Sequence, residues 1–74
     1  MNQKRGILAP KEKECLHWVA EGKTAEEVAI IMNLKIMTVR SYLRLARQKL
    51  DCTTIANAVY KAAMLNLFQS NKSY

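Results

Sequence analysis

Between Pro10 and Gly22 nothing interrupts a helix, and at each later boundary a residue suited to stopping or starting one recurs after a short run. Proline at the first turn has no N–H to lose, and a left-handed glycine closes the last turn, so a first helix is predicted from Pro10 to Glu21. Thr24-Ala25-Glu26-Glu27 reads as a capping box, in which the threonine hydroxyl and a glutamate carboxylate take up free backbone donors and open a second helix running to Met32. Asn33 tolerates a left-handed turn, which makes 33–35 a tight connector into a third helix, Ile36 to Leu50. Thr53 or Thr54 can cap a fourth, to about Phe68. Helices this short are marginal in isolation, so they must bury one another's apolar faces. The expectation is an all-α, four-helix bundle folding as one domain over 8–68, with a loose basic arm at 1–7 and a flexible polar tail at 69–74.

The apolar spacing says which faces turn inward. At about 100° per residue, Val39, Leu43, Ala46 and Leu50 form one stripe of the third helix, with Ile36 and Tyr42 at its borders. On the second helix Ala25, Val28 and Met32 point inward, and Ala29 is small enough for a crossing helix to approach closely. Glu12 falls on the apolar arc of the first helix with Leu16 and Val19. A carboxylate there needs a cation, and a lysine or arginine of the third helix is the expected partner. Trp18, nearly opposite Leu16, belongs at the domain edge.

A chain of 74 residues buries only about 60% of its unfolded surface. That leaves little room for a deep catalytic cleft. The only histidine, His17, has no serine, carboxylate pair or second histidine nearby in the sequence to suggest acid–base chemistry, and Cys15 and Cys52 stand apart, without the clustered ligands of a metal site. They read as reduced core thiols of a cytoplasmic protein. No enzyme, cofactor or metal is implied. The longest apolar run, Val28 to Met32, is far short of the roughly 20 residues that span a bilayer, and no signal peptide is readable. A membrane partner is not expected.

Twelve lysines and arginines against 6 acidic residues give a formal charge of +6, the signature of a polyanionic partner. The third helix concentrates it. Opposite its apolar stripe lie Met37, Arg40, Ser41, Arg44 and Gln48, with Arg47 at the flank. The major groove of double-stranded DNA admits one such helix, and arginine can donate two parallel hydrogen bonds to guanine O6 and N7. Arg40 and Arg44, with Ser41 between them, are therefore the candidate base readers. Lys23 and Lys35 precede two helix N-termini, where a bound phosphate would meet both a cation and free N–H groups. Lys23, Thr24, Lys35, Thr38 and Arg47 are the candidate phosphate contacts.

These residues bring the chain to a family likeness. Leu8-x-Pro10-Lys11-Glu12-x-Glu14, Leu16, the run Ala20 to Thr24, Glu27-Val28-Ala29, Thr38-Val39, Lys49-Leu50 and Ala58-Val59 resemble the LuxR-type helix-turn-helix domain from about Leu8 to Phe68. The stretch Glu14 to Thr24 looks most like the quorum-sensing branch. The resemblance implies a transcription regulator with its third helix in the major groove, bound as a dimer to inverted repeats. By position, Arg40 and Arg44 resemble base-contacting residues of the family, and Lys23, Thr24 and Thr38 resemble phosphate-contacting ones. Ala9, Lys35 and Ile55 depart from its pattern, standing where serine or threonine, serine and arginine are usual.

The fourth helix carries the partner question. Ile55, Ala58, Val59 and Ala62 turn inward, while Tyr60, Met64 and Leu67 share the other side, an apolar face suited to a two-fold contact. Double-stranded DNA and a second copy of the chain are thus the expected partners, with RNA polymerase a further candidate. Two other readings fit part of the sequence. One is a sigma-type promoter-recognition helix-turn-helix, which Thr38 to Leu43 would suit, although the fourth helix lengthens the domain beyond that pattern. The other is a protein-interaction module that captures a regulator through the fourth helix, which leaves the arginine face without a purpose.

Overall fold

A computed structural model describes residues 8–65 of the chain. It holds four helices, α1 (Pro10–Ala20), α2 (Ala25–Met32), α3 (Ile36–Lys49) and α4 (Ile55–Met64), and no strand among the described residues. The all-α architecture is as the breakers predict, with α1, α2 and α3 bounded within a residue of expectation. The arm at 1–7, the predicted extension of the last helix to Phe68 and the tail at 69–74 lie outside the described residues.

Three helices end in the same way. After α1, Gly22 takes φ 96°, its N–H donates to Val19 O at 2.9 Å, and the Lys23 N–H reaches back to Trp18 O at 3.0 Å. After α2, Asn33 takes φ 57°, its N–H donates to Ile30 O and that of Leu34 to Ala29 O. After α3, Asp51 takes φ 59°, with Asp51 N–H on Gln48 O and Cys52 N–H on Arg47 O. Each pair of bonds satisfies carbonyls that the last turn leaves open, and each requires one left-handed residue. Gly22 and Asn33 are legible in the sequence. Asp51 is a third such residue that the sequence does not announce, because aspartate serves equally well in ordinary turns.

The N-termini are less uniform. Thr24 caps α2 in the predicted box: its Oγ1 accepts the Glu27 N–H at 3.1 Å while Glu27 Oε1 accepts the Thr24 N–H at 2.9 Å. Of the two candidate threonines before α4, Thr54 is the cap, taking the Asn57 N–H at 3.0 Å. Alanine at position 9 cannot cap α1 with a side chain, but half of a box survives, since Glu12 Oε1 accepts the Ala9 N–H at 2.9 Å. Lys35 precedes α3 without a side-chain cap.

α1 and α3 pack against each other, and α2 and α4 flank that pair. Cys15 and Leu16 from α1, Val28 and Ala29 from α2, Val39, Leu43 and Ala46 from α3, Leu50 beyond it, and Ala58 and Ala62 from α4 are buried in one cluster with Leu8. The inward stripes are those the periodicity marks, with Ile36, Tyr42, Met32, Ile55 and Val59 packed at the margins. Small residues matter here: Ala46, Ala58 and Ala62 are fully buried, which lets α4 lie close on the pair.

Both cysteines are free thiols. Cys15 lies against Met32, Sγ to Sδ 3.6 Å, and burial, helped by the nearby Glu14 charge, pushes its pKa up to about 11. Cys52 is half-buried and donates to Leu50 O at 3.4 Å. His17 is partly exposed, its Nε2 4.0 Å from Glu21 Oε2. Trp18 sits at the domain edge as expected, its indole N–H 3.4 Å from Glu14 Oε2.

Candidate nucleic-acid interface

Glu12 and Lys49 set how α3 is held. Lys49, on the last turn of α3, places Nζ 2.9 Å from Glu12 Oε1, and the carboxylate side chain is 5% exposed. The cation expected for the buried Glu12 is thus Lys49. At the same end of α3, Lys61 of α4 donates to Leu50 O at 2.9 Å and Arg47 to Cys52 O at 3.4 Å. Cationic side chains thereby meet carbonyl groups near the negative end of the α3 dipole. These contacts anchor the C-terminal end of α3 and leave its opposite face to solvent.

At the other end, the turn at 33–35 delivers α3 directly from α2. Arg40, Arg44, Met37 and Gln48 are exposed along the outer strip and Ser41 is half-buried between the arginines. Arg40, Ser41 and Arg44 are therefore brought together on one face, as the helical spacing requires. Arg47 is different. It lies on the flank, partly buried, and its guanidinium is already engaged with the loop to α4.

Lys23, Thr24 and Lys35 are exposed at the N-termini of α2 and α3, and Thr38 is half-buried in the first turn of α3. Thr24 can serve two roles at once: its oxygen accepts the capping bond, and its hydroxyl proton remains a donor suited to a phosphate oxygen. At α3 the N–H groups of Thr38 and Val39 both turn to Lys35 O, at 3.0 and 3.1 Å. With no side-chain cap there, the earliest N–H groups of α3 face the region where an anion would be favoured.

One neighbour of the strip escapes sequence reasoning. Glu26 Oε2 of α2 lies 3.9 Å from Arg40 Nη2, with both side chains largely exposed. Its place in the first turn of α2 is legible, as an acid favourable to the helix dipole. Its meeting with Arg40 depends on the crossing of α2 and α3, which periodicity within either helix does not encode.

On α4, Tyr60 and Met64 are both about two-thirds exposed, 66% and 65%. Leu67, the third residue of that expected face, lies outside the described residues. Among the described residues no group of His, Cys, Asp and Glu is arranged to hold a metal ion, and no helix is long and apolar enough to cross a membrane.

The comparisons with known proteins agree with this architecture. The pattern described as "Bacterial regulatory proteins, luxR family" matches residues 6–62. The chain is 39% identical over 66 residues to the HTH-type quorum sensing-dependent transcriptional regulator VjbR of Brucella ovis, covering 89% of this chain and 26% of that protein. It is 41% identical over 66 residues to the HTH-type quorum sensing-dependent transcriptional regulator RpaR of Rhodopseudomonas palustris, covering 89% of this chain and 27% of that one. With the transcriptional activator protein CarR of Pectobacterium carotovorum it shares 36% over 69 residues, 93% of this chain and 28% of the relative. The chain thus spans about a quarter of the length of these curated relatives. The sigma-type alternative, which the α3 sequence by itself would suit, gives way to this match over most of the chain. The chain belongs to the LuxR family of bacterial regulatory proteins, and its four helices form that family's non-enzymatic, DNA-binding helix-turn-helix domain.

Proposed function

We propose that this domain binds double-stranded DNA sequence-specifically, as a dimer on an inverted repeat, with α3 in the major groove. The observation that carries the reading is the outer strip of α3, where Arg40 and Arg44 stand exposed, one turn apart and clear of the buried Val39, Leu43 and Ala46. A helix held by one face and cationic on the other is what the groove accepts, and Arg40, Arg44 and Ser41 read base edges in this proposal. Lys23, Thr24, Lys35 and Thr38 bind phosphates and fix the register. Arg47 joins them from the flank, reaching a phosphate with the part of its guanidinium fork that Cys52 O does not occupy.

Tyr60 and Met64 of α4 form the two-fold contact, extended by Leu67. The support is their exposure: large apolar side chains on one helix side, in a family of regulators, suit a self-complementary interface. Such a dimer presents its two α3 helices about 34 Å apart, one turn of DNA. The work is done where the bacterial chromosome is, in the cytoplasm. Quorum-sensing control enters through the relatives named for it, and RNA polymerase as a further partner through the relative named an activator.

Selection of bound duplexes from a random pool tests the reading. The expected product is an inverted repeat with half-sites about one helical turn apart, bound by two chains, with Met64→Asp reducing the two-chain complex while leaving the fold intact. A single-chain complex on the selected site contradicts the dimer. A pool without enrichment contradicts sequence-specific reading and favours the alternative in which α4 captures another regulator.

A further inference from the structure

Met37 stands in the middle of the proposed reading strip, and the reading assigns it no role. Its side chain is 76% exposed, so it contributes almost nothing to the core. Its position is what distinguishes it from an ordinary surface methionine. At about 100° per residue Met37 lies within roughly 40° of both Ser41 and Arg44 around α3, and about 60° from Arg40. It is also in the first turn, and the N-terminal residues of a recognition helix are those that approach base edges.

The chemistry of that position is restrictive. A thioether carries no hydrogen-bond donor and only a weak acceptor. Pressed against a purine edge, or against the amino group of cytosine, it would strip water from polar atoms and return no bond, which is costly. The major groove offers one apolar mark, the C5-methyl group of thymine. A flexible, polarisable side chain fits such a mark without demanding one fixed geometry.

We infer that Met37 is a specificity-determining residue that reads a thymine methyl group beside the guanine read by Arg40. The inference rests on α3 lying in the major groove as proposed above. Met37 and Arg40 are separated by about 4.5 Å along the helix axis, close to the roughly 3.4 Å step between base pairs. The two side chains therefore address the same or adjoining steps, and the half-site joins one thymine to one guanine at short range.

Two selections and one base change test this. The wild-type pool should be enriched in thymine within a step or two of the guanine, and Met37→Ala should lose the thymine while keeping the guanine. Arg40→Ala, run beside it, should lose the guanine. Replacing that thymine by deoxyuridine deletes only the methyl group. It should weaken wild-type binding about fourfold, the effect of one methyl-sized apolar group, and leave Met37→Ala binding unchanged. If Met37→Ala keeps the thymine, or wild type is indifferent to deoxyuridine at every thymine of the site, the inference is wrong while the arginine reading stands. If Arg40→Ala selects the same guanine, the arginine reading fails, and if no sequence is enriched at all, both fail. Alanine at this exposed position favours the helix, so a folding defect does not confuse the result.

Discussion

Lys49 Nζ lies 2.9 Å from Glu12 Oε1, and the same oxygen accepts the Ala9 N–H at 2.9 Å. One buried carboxylate atom therefore closes the start of α1 and ties it to the end of α3. The arrangement offsets a missing cap, because alanine at position 9 offers no side-chain acceptor, and it joins the C-terminal end of α3 to the first turn of α1. A buried carboxylate is costly unless paired and hydrogen-bonded, and here it is both.

The two partners of that bridge are not equivalent under mutation. Lys49→Ala leaves the Glu12 carboxylate buried with its cation gone and should destabilise by about 2–3 kcal/mol. Glu12→Gln removes the charge, keeps an acceptor for Ala9 and lets the half-exposed lysine return to water, so it should cost less. Urea denaturation of the two variants checks the order. A larger loss for Glu12→Gln would show that the lysine, not the carboxylate, depends on the pairing.

Asp51 holds a left-handed backbone after α3, a conformation in which a side chain is penalised and glycine is not. Asp51→Gly should stabilise by about 0.5–1 kcal/mol, and Asp51→Ala should destabilise by a similar amount. Thermal melting of the three proteins reads the effect. Asp51→Gly less stable than wild type would mean that the aspartate side chain has a stabilising role of its own.

Most of the fold is legible because its signals are local. Pro10, Gly22, Thr24 with Glu27, and Asn33 each mark a boundary through their own backbone or capping preference, and the structure follows them. The inward stripe of α3 is legible for the same reason, since Val39, Leu43 and Ala46 repeat at the helical period. Even the need of Glu12 for a cation follows from its place on an apolar arc. What the sequence withholds is pairing across elements: that the cation is Lys49, that Arg47 turns to Cys52 O, that Lys61 reaches Leu50 O, and that Glu26 meets Arg40. Each depends on how two helices cross, which the period of either one does not contain. The two candidate arginine readers, exposed together on α3, are legible as a face; what Glu26 does to that face is not.

Glu26 holds a negative charge 3.9 Å from Arg40, on the side of the domain proposed to meet phosphates. Glu26→Gln should strengthen binding to the selected site and to unrelated duplex alike, up to about fivefold at low salt, in line with the roughly 1 kcal/mol that exposed pairs reach. Fluorescence anisotropy on both duplexes measures this. Weaker binding confined to the selected site would instead make Glu26 a residue that orients Arg40 for its guanine.

The two thiols should differ sharply in reactivity. The thiolate is the reacting form, and a pKa of about 11 for Cys15 leaves about one part in a thousand ionised at pH 8. The sign for stability follows: folding holds the Cys15 proton more tightly than an ordinary thiol, whose pKa is 9.0, so its contribution is constant below pH 9 and declines as pH rises from 9 toward 11. A thiol-reactive dye at pH 8 should label half-buried Cys52 readily and Cys15 only on unfolding. Rapid labelling of both would show that α1 opens easily.

The most direct test of the central claim, that the outer face of α3 reads sequence while the helix N-termini hold the backbone, is salt-dependent binding of Arg40→Ala and Lys23→Ala to the selected site and to an unrelated duplex. Arg40→Ala should lose about 1–3 kcal/mol on the selected site and much less on the other, and Lys23→Ala should weaken both equally with a salt slope lower by about one ion. Equal losses on the two duplexes for Arg40→Ala would contradict the account, because a residue that reads bases must distinguish them.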